Sequence, residues 1–173
     1  MALRLAAVLM LVSAIAVAGT LSFALHSAAF THRAPIPVLY TCEGTDISPP
    51  LEWGPVPPGT RGIAIVAEDP TVAEGSFVHW VLYDLPESAQ GLPENVTRAD
   101  TLRSGGRQGR NDFGTVGYRG PCPPPGKVHQ YWFRVYALDG SLELPPQPNG
   151  RDVLRAITGH TIRVAEIMGT FSR

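Results

Sequence analysis

Val128-His-Gln-Tyr-Trp-Phe-Arg-Val-Tyr-Ala-Leu138 is the stretch that decides the fold. Read with a period of two, it sets His129, Tyr131, Phe133, Val135 and Ala137 on one face of an extended strand. Two runs upstream, Arg61-Gly-Ile-Ala-Ile-Val-Ala-Glu68 and Phe77-Val-His-Trp-Val-Leu-Tyr83, are continuous and rich in β-branched residues, the mark of strands buried on both faces. Leu51-Glu-Trp53 is a short strand candidate, and Ile162 to Phe171 supplies the last one. The best helix is short. Asn149 or Asp152 caps it, Val153 to Ile157 form its body and Gly159 ends it. Several strands joined by Pro/Gly turns, with one late helix, predict a mostly-β domain.

Composition agrees. Gly 18 and Pro 17 in 173 residues are too many for a helix bundle and natural for loops joining strands. At 44% hydrophobic and 17% charged, the chain is neither disordered nor a polytopic membrane protein. A formal net charge of −1 carries no nucleic-acid footprint. Proline-rich knots at Ser48-Pro-Pro50 with Pro55-Val-Pro-Pro-Gly59, and at Gly120-Pro-Cys-Pro-Pro-Pro-Gly126, make stiff loops, read either as pocket walls or as turns that stop strands.

Residues 5–25 contain no charged side chain and follow Arg4. That is long enough to cross a bilayer as a helix. The same letters read as a signal peptide, with Ala16-Val17-Ala18 as its cleavage site, or, as the bland alternative, a buried N-terminal helix of the domain. Residues 1–26 are therefore expected to be a signal peptide or membrane anchor, in contact with the membrane if uncleaved, and residues 27–173 a domain exported from the cytoplasm. Cys42 and Cys122 match no zinc spacing. In an oxidising compartment they read as one disulfide, and otherwise as two unpaired thiols. Asn95-Val96-Thr97 is a glycosylation sequon, weak on its own.

Four ordered blocks carry a resemblance. They are Thr41-Cys-Glu-Gly-Thr-Asp-Ile-Ser-Pro-Pro-Leu-Glu-Trp53; Ala67-Glu-Asp-Pro-Thr71 with Val78-His-Trp-Val-Leu-Tyr-Asp-Leu-Pro86; Asn111-Asp-Phe-Gly-Thr-Val-Gly-Tyr-Arg-Gly-Pro-Cys-Pro-Pro-Pro-Gly126; and His129-Gln-Tyr131 with Val135-Tyr-Ala-Leu-Asp139. The chain resembles the phosphatidylethanolamine-binding protein family, in its bacterial and archaeal Raf-kinase-inhibitor-like branch. The resemblance implies an antiparallel Greek-key β-sandwich with few short helices and a small anion-binding pocket at one end. The family's pocket residues fall here on Asp69, His79, Gly120, Pro121, His129 and Tyr131. Two motifs depart from the family pattern. D-P-D-x-P reads Asp69-Pro-Thr-Val-Ala73, and H-R-Y reads His129-Gln130-Tyr131, which removes an Arg expected near the pocket. The chain also stops at Arg173, where eukaryotic members carry a further C-terminal helix beside the pocket.

The residue types suit an anion. His79, His129 and Tyr131 can donate to phosphate oxygens, as can a backbone N–H in the Gly120 loop. An ionised Asp69 instead holds a His tautomer or meets a ligand's amino group. If Asp69 pairs with a His, anion binding is expected to weaken as pH rises. The first expectation is thus a non-catalytic binding protein for a phosphate-bearing or other anionic small molecule, such as a phospholipid head group, with no cofactor and no metal. The alternative is a protease inhibitor or regulatory partner of another protein outside the membrane, although Pro86 to Arg110 looks too flexible for an inhibitory loop. A metal-dependent hydrolase using Asp69, His79 and His129 is the remote third.

Overall fold

The computed structural model describes residues 22–73 and 75–173. Among these residues, eight antiparallel strands form two sheets. The small sheet has the order β1-β2-β5, from Leu25–His26, Leu51–Trp53 and Gly91–Leu92. The large sheet has the order β6-β4-β3-β7-β8, from Arg107–Gln108, Phe77–Leu85, Gly62–Asp69, Val128–Leu138 and Thr161–Ser172. The main core lies between the sheets. Leu25, Leu51, Trp53 and Leu92 pack there against Ile63, Ile65, Trp80, Leu82, Phe133 and Val135. The alternation read in β7 holds, with Tyr131, Phe133, Val135 and Ala137 buried on the core side. The mostly-β antiparallel fold expected from the sequence is the one the chain adopts.

The other face of the large sheet is covered at one end by α1, Gly150–Thr158. Asn149 caps it, and Asp152 returns a bond to the Asn149 backbone, so both cap candidates act, in different roles. Val153 and Ile157, four apart, press on Ala64, Val66 and Val81.

Two expectations change. Phe23 and Leu25 are core residues, and β1 pairs with β2, so the folded unit begins before the expected boundary at residue 27. The apolar run therefore ends inside the sheet, where its last side chains bury with the domain. Residues 1–21, which carry the signal or anchor reading, lie outside the described residues. The segment 86–110 is also pinned rather than loose. Leu92, Val96 and Leu102 are buried, and the Gln108 side chain donates to the Thr97 and Ala99 carbonyls while accepting from the Trp80 indole at 2.7 Å.

Candidate functional site

The residues singled out in the sequence meet where β3 ends beside the start of β7. Asp69 is the last residue of β3, His129 the second of β7. The His129 Nδ1 lies 2.6 Å from Asp69 Oδ2. The other oxygen, Oδ1, accepts from the Thr71 N–H at 2.8 Å and from the Thr71 hydroxyl. Asp69 is only 3% exposed. With both oxygens engaged inside the chain, it is placed to orient His129 rather than to meet a ligand's amino group.

His79 reaches the same place through a β-bulge. Ala67 pairs with Trp80, but Glu68 pairs with Val78, which leaves His79 without a partner on β3. Strict alternation would turn His79 away from the Trp80 side. The bulge instead sends Val78 to the α1 face and sets the His79 ring edge-on to Tyr131, with centroids 5.2 Å apart. Phe77 and Phe113 close around it at 5.2 and 5.3 Å. The His79 Nδ1 lies 2.7 Å from the Arg119 carbonyl oxygen, and the Arg119 N–H donates back to the His79 carbonyl. Burial holds the His79 pKa below 6.5, although Arg119's carbonyl and Asp69 oppose the shift. Burial likewise pushes the Tyr131 hydroxyl pKa up, and Asp69 adds to it.

The loop carrying Gly120 and Pro121 is clamped to the turn after the 3-10 helix Val38–Tyr40. The Gly120 N–H donates to Asp46 Oδ1 at 2.6 Å, and the Cys42 N–H donates to the Pro121 carbonyl at 3.1 Å. Cys42 and Cys122 are joined as a disulfide, with Cα atoms 5.4 Å apart. Asp46 also holds the Arg119 guanidinium at 2.8 Å, and that guanidinium lies over the Phe113 ring. The Gly120 N–H expected to meet an anion is therefore already used by Asp46. Thr71, Phe113, Arg119 and Asp46 support the site without having been predicted for it. All four stood inside the quoted blocks, but only the fold shows what they touch. Among the described residues no group of three His, Cys, Asp or Glu side chains is placed to hold a metal ion. Open grooves of about 450 and 530 Å³ lie elsewhere, one lined by Phe23, Leu25 and Ile167, the other by Leu92, Val96 and Leu102.

The phosphatidylethanolamine-binding protein family model matches residues 26–172. The chain belongs to this family. Relatives called UPF0098 protein include one from Methanothermobacter thermautotrophicus, 47% identical over 145 residues, covering 84% of this chain and 95% of the relative. Another, from Aquifex aeolicus, is 43% identical over 149 residues, covering 85% and 86%. Among solved structures, YbcL of E. coli, described as a member of the mammalian PEBP family, superposes with a TM-score of 0.81 at 32% identity, covering 87% of this chain and 98% of that one. The PEBP homologue CT736 of Chlamydia trachomatis gives 0.77 at 36% identity, covering 88% and 99%.

Two departures from the family motifs look different in three dimensions. Gln130 alternates with His129 and Tyr131 and is exposed on the opposite face of β7, so its side chain does not face the site. The missing Arg therefore takes no charge from between the two histidines. Thr71, in place of an Asp, supplies the two bonds that fix Asp69 Oδ1.

Proposed function

We propose that the chain is an exported small-ligand-binding protein whose site takes a phosphate-bearing anion. One observation carries the reading. His79 and His129 are each anchored through Nδ1, His79 edge-on to the Tyr131 ring, and neither Nε2 has a partner among the described residues. No buried side-chain nitrogen or oxygen there lacks a partner, so both Nε2 atoms keep contact with solvent. Two imidazoles and a phenol, held rigidly from behind, suit a small oxyanion better than a bulky substrate. Export is supported by the apolar letters of residues 5–21 and by Ala16-Val17-Ala18 just before the first core residue, Phe23.

Thermal unfolding of the full chain tests this, with inorganic phosphate, phosphoethanolamine and acetate as ligands. A ligand at 100 times its dissociation constant stabilises by about 2.7 kcal/mol, several degrees for this size. The phosphate ligands are expected to raise the midpoint, and His79→Ala and His129→Ala to abolish the rise. A midpoint unmoved by any phosphate ligand would refute the reading.

A further inference from the structure

The tautomers of both histidines are set from behind. A carbonyl only accepts, so the His79 Nδ1 facing the Arg119 oxygen carries a hydrogen. Asp69 Oδ2 likewise takes the proton of His129 Nδ1, because Thr71 already occupies Oδ1. In a neutral imidazole with its hydrogen on Nδ1, Nε2 is a lone pair. In the neutral form of each ring, the solvent-reached Nε2 is therefore an acceptor. The charges near them do not reverse this. Asp69 faces His79 and His129 from β3, and Asp112 faces His79 from the connection before β7. Of that connection's cations, Arg110 bonds Gly114 and Gln147, Lys127 stands two residues before His129, and Arg119 is held by Asp46 and lies over Phe113. A fully deprotonated oxyanion would meet two lone pairs beside a buried carboxylate, which is repulsive.

We propose that the site recognises its ligand by a proton the ligand carries. The ligand is a phosphate that keeps a P–OH, inorganic or monoester, and that hydroxyl donates to an imidazole Nε2. Anions of the same shape without the proton are rejected. This rests on the reading of the site as an anion pocket. It also separates two phosphate sources, since a monoester retains a P–OH near and below its second pKa of about 6, whereas a diester has none at neutral pH.

Titration calorimetry of the full chain near pH 7.5 tests it, with inorganic phosphate and sulfate as probes. Both are tetrahedral oxyanions, but only phosphate keeps a hydroxyl there. Phosphate is expected to bind about a hundredfold tighter or more, since a site built to bond a hydroxyl rejects the analogue lacking it. Glycerophosphoethanolamine, a diester, should behave like sulfate. Phosphoethanolamine should lose affinity by about tenfold per pH unit above its second pKa. Equal binding of phosphate and sulfate overturns the proposal and leaves the anion site standing. Binding of neither overturns both.

Asp69→Asn supplies a second test. The two Thr71 donors hold the amide oxygen at the Oδ1 position and turn the amide NH₂ towards His129. The ring proton then moves to Nε2, which becomes a donor. The phosphate-to-sulfate ratio should fall by about tenfold or more. Imidazole ¹⁵N shifts report the tautomer directly. A switched tautomer with an unchanged ratio overturns the proposal, and so does a wild-type His129 with its proton on Nε2.

Discussion

Gly120→Ala tests whether the site loop is clamped as tightly as its contacts indicate. A Cβ on Gly120 would overlap the Tyr40 carbonyl oxygen and stand 2.8 Å from Thr41 Cα. Both opposing atoms are backbone, and neither is free to move. The Tyr40 carbonyl accepts the buried Tyr118 hydroxyl at 2.8 Å, and the Thr41 N–H closes its turn onto the Val38 carbonyl at 3.0 Å. From the other side, Asp46 and the Cys42–Cys122 disulfide hold the loop in place. Overpacking a filled site costs about 1–3 kcal/mol. Displacing Gly120 also stretches its bond to the Asp46 carboxylate, worth about 1.5 kcal/mol or more as a bond to a charged group. Together these predict a loss of about 3 kcal/mol. Urea unfolding of the full chain measures it as a lower midpoint at unchanged slope. Gly159→Ala is the control. Nothing lies within 4 Å of its Cβ and its φ is −85°, so it should be neutral or stabilise by about 0.5 kcal/mol. Phosphate affinity should also drop in Gly120→Ala, because the adjacent Arg119 carbonyl orients His79. A Gly120→Ala protein within about 0.5 kcal/mol of the wild type, with undiminished phosphate affinity, would refute the clamp.

Other outcomes follow from the same contacts. Reducing Cys42–Cys122, or replacing both with Ser, should cost about 4 kcal/mol for a separation of 80 residues on the chain-entropy model, read by denaturation with and without reductant. The lowered His79 pKa makes its neutral form a source of stability that is complete above pH 6.5, the unfolded value, and lost as pH falls through the lower folded one. Unfolding free energy should therefore decline below about pH 6.5, and His79→Gln should flatten that decline. Arg134→Ala should cost about 2 kcal/mol or more, because it leaves Glu68, 8% exposed, with only Ser76 as partner among the described residues, whereas Arg134→Ala in a Glu68→Gln background should cost less. Asn149→Ala should cost about 1 kcal/mol by removing the α1 cap, measured by thermal unfolding.

The large sheet was legible because its strands carry their burial in their letters. β3 and β7 fall within a residue or two of the runs that predicted them, and the period of two in β7 gave the correct core face. The small sheet was harder to read. β1 and β5 have two residues each and no pattern of their own, and β1 was hidden in an apolar run that reads as a membrane segment. The candidate site was legible through its motif residues, not through periodicity. Alternation alone would send His79 to the wrong face, since a bulge leaves no mark in composition. What the sequence could not show was which donors were already spent. The Gly120 N–H looked free until Asp46 was seen to hold it, and Gln130 looked like a loss of charge until its side chain was seen to point away.

An imidazole ¹⁵N NMR titration of the full chain with inorganic phosphate tests whether His79 and His129 form one anion site. The chain has five histidines. The Nε2 signals of His79 and His129 are predicted to move together and to saturate, while those of His26, His32 and His160 stay in place. Unmoved His79 and His129 signals, or equal movement of all five, would contradict an anion site built on this pair.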